Sequence, residues 1–175
     1  MVIWITGISG TGKSTLGKYF FKKFKKKYPS TVFFDGDQFR KIFFNDIKYT
    51  LKDRDINAVR LTNLVKYIAL QKVNIIISAN LTSQKFRDWC KNNIKDYFEI
   101  FIDTPIDLLI KNRDYKKLYK NALKGKIKNV VGVDIPFKFP KNPDLIIKNY
   151  STKKILFTNY DLIIKKLKKK KLKIF

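Results

Sequence analysis

Runs of apolar residues, separated by longer mixed segments, set the predicted secondary structure of this 175-residue chain. Continuous runs rich in Ile, Val and Phe are typical of parallel strands that are covered on both faces. The chain has four such runs: VIWIT (2–6), TVFF (31–34), NIIIS (74–78) and FEIFID (98–103). Helical patterns follow the first three runs, one through about residue 27, one near 53–72 and one after residue 78. The pattern therefore predicts an α/β fold with a parallel sheet and helices on both faces.

The rest of the chain is less regular. Residues 113–143 contain many lysines, two glycines and three prolines, and show no clear strand. A long loop in a small domain is often a lid, and its cations could close over a triphosphate. Beyond it, DLII at 144–147 predicts one more short strand and residues 152–171 a closing helix. There is no repeat or linker, so we expect residues 1–175 to form a single domain.

The stretch GISGTGKST at residues 7–15 lies between the first apolar run and the first helical pattern. Its glycines permit backbone angles that let consecutive N–H groups converge on phosphate oxygens. Lys13 adds a positive charge at the β- and γ-phosphates, and Ser14 offers a hydroxyl to Mg²⁺. This spacing is a P-loop, which predicts the P-loop NTPase fold with ATP and Mg²⁺ as cofactors. The predicted nucleotide-binding residues are Gly7, Ser9, Gly10, Thr11, Gly12, Lys13, Ser14 and Thr15.

The composition limits which catalytic groups and which structural features the chain can have. The chain has no histidine, so a proton acceptor must be a carboxylate or water. A single cysteine, Cys90, cannot form an internal disulfide, and we expect it to be packed in the core. No apolar run approaches the length of a membrane span, and the first residues lead straight into the P-loop rather than through a signal peptide. We therefore expect a cytoplasmic protein.

The acceptor of the phosphate is indicated by polar residues that follow the strands, where ligands gather in parallel sheets. These are Asp35, Asp37, residues 80–82 and Asp103. The guanine-binding pattern N/T-K-x-D is missing, and motors need larger domains, so a kinase for a small acceptor fits best. Asp37 is placed to accept the proton of an attacking hydroxyl, although an aspartate here could also cap a helix.

Five blocks of the sequence resemble the adenylylsulfate kinase family over almost the entire chain. The blocks are WITGISGTGKSTL, DGDQFR (35–40), DRDINAVR (53–60), FIDTP (101–105) and RDYKKLYKNALKGKIKN (113–129), and PKNPDLII (140–147) also matches. The resemblance implies ATP-dependent phosphorylation of a nucleotide's ribose 3′-hydroxyl, with Asp37 as base and Asp35 supporting it. It also implies a homodimer, as family members commonly form dimers.

The resemblance assigns the remaining site residues as well. Arg40, Arg54 and Asn57 would hold the phosphosulfate and ribose region of the acceptor, and arginine forks suit anionic oxygens. Arg113 and Lys116 would belong to the lid over ATP and acceptor. Lys13, together with Ser14 and Mg²⁺, would neutralise charge in the transition state.

Departures from the family pattern cluster around the acceptor's base. The family stacks adenine between two aromatic rings. Tyr49 keeps the first ring here, but Val130 replaces the second and Val131 replaces a neighbouring threonine. Where the family has I-S-P-Y or I-S-P-H, the corresponding segment of this chain begins with Leu81 and Thr82. Two acceptors remain open, adenylyl sulfate and the cytidine diphosphoramidate used in capsule polysaccharide pathways. We favour the second, because a pyrimidine leaves less surface to cover.

The net charge of +25 requires that nucleic acid be considered as a partner. The lysines are spread through the chain, and neither a zinc-finger spacing nor an aromatic RNA-binding signature is present. We therefore expect no specific nucleic acid partner. A nucleic-acid-binding protein with a vestigial P-loop is the remote alternative. The run KKLKKKKLKIF at 165–175 predicts a solvated, partly frayed helix end, and docking on acidic lipid or nucleic acid is the other interpretation.

Overall fold

A five-stranded parallel sheet in the order β2-β3-β1-β4-β5 forms the centre of the structure. The computed structural model describes residues 1–43, 46–150 and 154–175. The four long apolar runs and the short one near residue 145 all form strands, as predicted. The strands are β1 (Val2–Thr6), β2 (Thr31–Asp35), β3 (Asn74–Ser78), β4 (Tyr97–Asp103) and β5 (Leu145–Lys148).

Seven helices are found in the described part of the chain, and four of them match the predicted helical patterns. These four are α1 (Lys13–Lys27), α3 (Leu51–Leu70), α4 (Gln84–Asn93) and α7 (Lys154–Lys169). The predicted start of α7, at residues 152 and 153, lies outside the described residues. Three shorter helices have no counterpart in the sequence prediction: α2 (Gly36–Phe43), α5 (Ile106–Asn112) and α6 (Leu118–Leu123).

Helices cover both faces of the sheet, which confirms the predicted α/β architecture. On one face α1 and α7 pack through residues such as Phe20, Phe24 and Ile163, each fully buried. On the other face α3 and α4 pack on Trp4 and its neighbours. The carboxyl ends of all five strands point to one edge of the sheet, because the strands are parallel. The residues that follow β1, β2 and β4 therefore meet at this edge.

Residues 113–143 form the predicted strand-free segment between α5 and β5. Apart from α6, their only regular pairing is a single bridge between Val131 and Ile135. The segment is nevertheless anchored, because Tyr119, Val130 and Val131 are buried against Ile8 of the P-loop. We call residues 113–143 the lid segment.

The end of the chain differs from the prediction. Helix α7 ends at Lys169, and the last residues are not frayed but lie along the amino-terminal edge of the sheet. The backbone N–H of Lys173 donates to Asp96, and that of Phe175 donates to the side chain of Asn74. The carboxylate of Asp96 and the carboxamide of Asn74 thus accept the hydrogen bonds that hold the tail in place.

Cys90 lies in the core, as expected, and burial raises the pKa of its thiol to about 12. Among the described residues, no helix is both long and apolar enough to cross a bilayer.

Candidate active site

The P-loop joins β1 to α1 and curves around the amino terminus of that helix. Gly12, directly before the helix, has a φ of 97°, a left-handed conformation that favours glycine. Gly7 is equally constrained, because a Cβ atom there would lie 2.8 Å from the carbonyl oxygen of Ile102. The first N–H groups of α1 have no helical partner and carry the positive end of the helix dipole. The loop is therefore shaped to hold phosphate oxygens, as the sequence predicts.

Lys13 turns back over this loop. Its Nζ donates to the carbonyl oxygen of Ile8 at 2.7 Å. Burial lowers the pKa of the ammonium group to about 8, while the carboxylates of Asp37 and Asp35 act in the opposite direction. The two carboxylates offset only part of the effect of burial, so anionic phosphates at this position would further stabilise the charged form of the half-buried ammonium group.

Ser14 and Asp35 form a pair of oxygen ligands beside the loop. The Ser14 hydroxyl donates to Asp35 Oδ2 at 2.5 Å. Within the described residues, no group of three or more His, Cys, Asp and Glu side chains could hold a metal ion. Mg²⁺ bound with a nucleotide takes most of its ligands from phosphates and water, and needs only one or two from the protein. The pair therefore fits the predicted magnesium ligand, Ser14, with Asp35 at its side.

Asp35 also fixes the position of Asp37. Its Oδ1 accepts the backbone N–H of Asp37 at 3.1 Å and that of Gln38 at 3.4 Å, which caps the start of α2. The Asp37 carboxylate itself is 81% exposed, and its Oδ2 lies 3.6 Å from Nζ of Lys116. Such an exposed ion pair is weak and easily separated. Asp37 is thus held by its backbone, while its carboxylate stays open to a substrate.

Two arginines flank Tyr49 at the entrance to α3. The guanidinium groups of Arg40 and Arg54 lie 4.9 Å and 5.7 Å from the centre of its ring. Arg54 also donates to the carbonyl oxygens of Tyr49 and Asn129, at 3.0 Å and 2.8 Å. The structure therefore brings the predicted acceptor residues of α2 and α3 together, and ties them to the lid segment through Asn129.

The other predicted acceptor residues differ in exposure. Val130, Val131 and Leu81 are buried, at 4%, 7% and 1% exposure. Val130 and Val131 pack with Ile8 and Tyr119, whereas Leu81 belongs to the core on the α3 and α4 face. Asn57 and Thr82 are half-buried. Val130, the position at which the resemblance implies a second ring, therefore packs among the residues that anchor the lid segment.

Asn149 is a site residue that the sequence prediction missed. Its side-chain amide donates to the carbonyl oxygen of Thr11 in the P-loop, at 2.9 Å. Its backbone carbonyl oxygen accepts two hydrogen bonds, from the guanidinium group of the predicted ATP-binding residue Arg113 at 3.0 Å and from the hydroxyl of Thr104 at 3.3 Å. Asn149 therefore links the P-loop to the start of the lid segment. Its place directly after β5 is the signal that could have indicated it.

Tyr119 makes a second link that the prediction missed. Its hydroxyl donates to the carbonyl oxygen of Ser9 at 2.7 Å, while its ring is buried among the lid's anchoring residues. Burial raises the pKa of this phenol, so the group is a neutral donor at physiological pH.

Removing this hydroxyl tests the link. We expect Tyr119→Phe to raise KM for ATP about 2- to 10-fold with little change in kcat, because one hydrogen bond contributes about 0.5–1.5 kcal/mol. Steady-state kinetics measure both constants. Tyr115→Phe is the matched control, since Tyr115 is in the same segment and 77% exposed. Equal effects of the two variants would rule out a specific role for the Tyr119 hydroxyl.

Known proteins are similar to this chain over most of their length. The family model for adenylylsulphate kinase matches residues 1–148. The chain is 37% identical to the cytidine diphosphoramidate kinase of Campylobacter jejuni, over 95% of both chains. It is 33% identical to the adenylyl-sulfate kinase of Buchnera aphidicola, over 85% of this chain and 72% of the relative. The structure of Mycobacterium tuberculosis APS kinase in complex with AMPPNP and APS superposes with a TM-score of 0.82 at 28% identity, covering 95% and 96% of the two chains.

The fold and the phosphate cradle define a P-loop kinase, an ATP-dependent phosphotransferase. Within that class, the chain belongs to the adenylylsulphate kinase family. The resemblance inferred from the five sequence blocks is thereby confirmed, and the function is that of a nucleotide kinase.

Proposed function

We propose that this enzyme transfers the γ-phosphate of ATP to the ribose 3′-hydroxyl of a nucleotide 5′-phosphoanhydride, with Asp37 as the base. The observation that carries this proposal is the placement of one exposed carboxylate. Asp37 is held by the cap that Asp35 provides, and its negative charge raises the pKa of the Lys13 ammonium group. A hydroxyl that donates to Asp37 would thus lie close to the phosphates that Lys13 binds.

The proposed step needs little covalent help from the protein. As the ribose 3′-oxygen bonds to the γ-phosphorus, Asp37 accepts the proton of that hydroxyl. The bond between the γ-phosphorus and the β–γ bridging oxygen breaks, which releases ADP. Lys13 and the amino terminus of α1 stabilise the negative charge of the transferring group. Mg²⁺, held through Ser14, would neutralise further charge on the β- and γ-phosphates when bound. Lys116 would leave its weak pair with Asp37 and contact substrate anions instead.

We further propose that cytidine diphosphoramidate is preferred to adenylyl sulfate. Tyr49 offers one ring, 53% exposed between two arginines, and Val130 has no ring at the position where the family resemblance implies a second one. Stacking a base on an aromatic ring contributes about 1–3 kcal/mol. A purine would lose more from the missing ring than a smaller pyrimidine does. The similarity to a cytidine diphosphoramidate kinase over 95% of both chains supports the same choice. Adenylyl sulfate is the alternative acceptor.

Direct comparison of the two acceptors tests this preference. Enzyme, ATP and Mg²⁺ are incubated with each acceptor separately, and kcat/KM is measured from the release of ADP. We expect the higher value for cytidine diphosphoramidate. A higher value for adenylyl sulfate would overturn the proposed preference while leaving the proposed chemistry in place.

Restoring the missing ring is expected to change this selectivity. Val130→Phe should raise kcat/KM for adenylyl sulfate by about 5- to 100-fold, which corresponds to one added stacking contact. Val130→Leu is the control, because it adds volume to the same buried position without adding a ring. No gain over Val130→Leu would show that this position does not contact the base.

A homodimer stays a prediction from the family resemblance. Light scattering of the purified protein measures its mass in solution, and twice the chain mass of 20.7 kDa is expected.

A further inference from the structure

Two lysine-rich segments that are distant in sequence lie side by side on one face of the protein. Helix α1 contains seven lysines and no acidic residue. Residues 156–175 contain seven lysines and one acidic residue, Asp161. The two helices contact each other, since the rings of Tyr19 and Phe157 lie 4.6 Å apart and Lys23 Nζ lies 4.5 Å from the centre of the Tyr160 ring.

The helical period places most of these lysines on the outer surface. Helix α1 buries Leu16, Phe20 and Phe24 against the sheet, and α7 buries Leu156, Ile163 and Leu167. Residues on the opposite side of each helix face away from the sheet. Seven exposed lysines on these outer sides form what we call the lysine face: Lys18, Lys22, Lys25, Lys26, Lys165, Lys168 and Lys169.

The two helices that carry the lysine face contain little negative charge. Asp161 is the only acidic residue along the two helices. Lys170, just beyond α7, pairs through its Nζ with Asp144 at 2.6 Å, whereas no ion pair of the lysine face is found within residues 1–43, 46–150 and 154–175. Charges of one sign on neighbouring helices repel one another, and they are best compensated by a broad anionic surface.

We propose that the lysine face docks the enzyme on an anionic membrane surface. A bilayer rich in anionic lipid attracts clustered lysines through its diffuse negative potential, without requiring fixed geometry. Leu162, which is 39% exposed on α7, adds an apolar side chain at the edge of the face.

The chemistry of the face favours lipid over nucleic acid. All five arginines of the chain, which form the bidentate phosphate contacts typical of nucleic-acid binding, lie outside α1 and α7. The aromatic rings of the two helices pack on each other, as Tyr19 does on Phe157 and Phe20 on Tyr160, instead of offering free faces to bases.

Docking through this face would leave the active site accessible. The lysine face lies on the α1 and α7 side of the sheet, whereas α2 and α3, which carry Asp37 and Arg54, lie on the other side. A nucleotide acceptor could therefore enter the cleft while the enzyme is bound to a membrane. This proposal does not depend on which acceptor the enzyme uses.

Vesicle flotation tests the proposal with the full-length protein. Vesicles of neutral phosphatidylcholine are compared with vesicles containing about 30% anionic phosphatidylglycerol, at roughly 0.1 M salt. The face variant carries Lys22→Gln, Lys26→Gln, Lys165→Gln and Lys169→Gln. The control variant removes the same charge from exposed lysines elsewhere, with Lys52→Gln, Lys111→Gln, Lys124→Gln and Lys138→Gln. Circular dichroism confirms that each variant is folded.

We expect the wild-type protein to float with anionic vesicles only, and added salt to release it. Each lysine near a charged surface contributes roughly fivefold to partitioning. With four lysines removed, the face variant should therefore partition roughly several hundredfold more weakly, and the control variant much less so. Equal losses in both variants, or no flotation of the wild-type protein, would overturn the proposal. So would face-dependent binding to random duplex DNA without binding to vesicles.

Discussion

Asp37→Asn is expected to reduce kcat by about 10²- to 10⁴-fold while ATP still binds. The amide keeps the shape of the side chain but cannot take the proton of the attacking hydroxyl. The backbone cap from Asp35 remains, so the local structure at the start of α2 should be unchanged. Single-turnover kinetics with saturating acceptor give the rate of the chemical step, and calorimetric titration gives ATP affinity.

Asp107→Asn provides the matched control for this variant. Asp107 is an exposed aspartate in the first turn of α5, on a different element from Asp37 and Lys13. We expect it to keep the wild-type rate. If Asp37→Asn also kept that rate, Asp37 could not be the base, and water would have to accept the proton.

The second large effect is expected for Lys13→Ala, which should lower kcat by about 10²- to 10³-fold. The ammonium group is the one cation of the P-loop, and burial removes part of its hydration before substrate binds, which lowers its pKa to about 8. A desolvated charge interacts strongly with the charge that develops on the transferring phosphate. Steady-state kinetics separate the loss in kcat from any rise in KM for ATP.

Lys18→Ala is the control for that measurement, because Lys18 is an exposed lysine on the same helix. It should keep the wild-type kcat. A Lys13→Ala enzyme with normal kcat and raised KM would show that Lys13 binds ground state and transition state equally, and contributes nothing to the chemical step.

Strands β1, β3 and β4 were predictable because each is an apolar run that is buried on both faces. The two edge strands are less buried, and β5 alternates between buried and exposed residues. The observed ends of β1 and β3 coincide with the runs VIWIT and NIIIS. The three missed helices have only six to eight residues, too few to show a helical period, and isolated helices of that length are unstable. Helix α2 depends instead on the cap that Asp35 provides, which is a consequence of the site.

The phosphate cradle was predictable because its backbone conformation depends on glycine at fixed spacing. The contacts that connect the cradle to distant parts of the chain could not be predicted. Tyr119 and Ser9 are 110 residues apart, and Asn149 and Thr11 are 138 apart, so no local pattern reports their contacts. The fully buried pair of Arg87 and Glu99, 3.4 Å apart, could not be predicted from the sequence either. Charged residues in a helix or a strand normally indicate an exposed position.

The acceptor site was predictable only in part. Tyr49, Arg40 and Arg54 do lie together, as the family resemblance implies. The burial of Val130 and Val131 in the lid's anchor depends on how the lid segment folds over Ile8, which follows from tertiary packing. The frayed tail was wrong for a similar reason, since Asp96 and Asn74 supply partners that are remote in sequence.

The position of the new phosphate on the product tests the central proposal most directly. The product made from ATP and cytidine diphosphoramidate is analysed by phosphorus–proton correlation spectroscopy. The proposed mechanism predicts that the added phosphorus couples to the ribose H3′ proton. Coupling to another ribose proton, or recovery of the phosphate only as free inorganic phosphate, would contradict it.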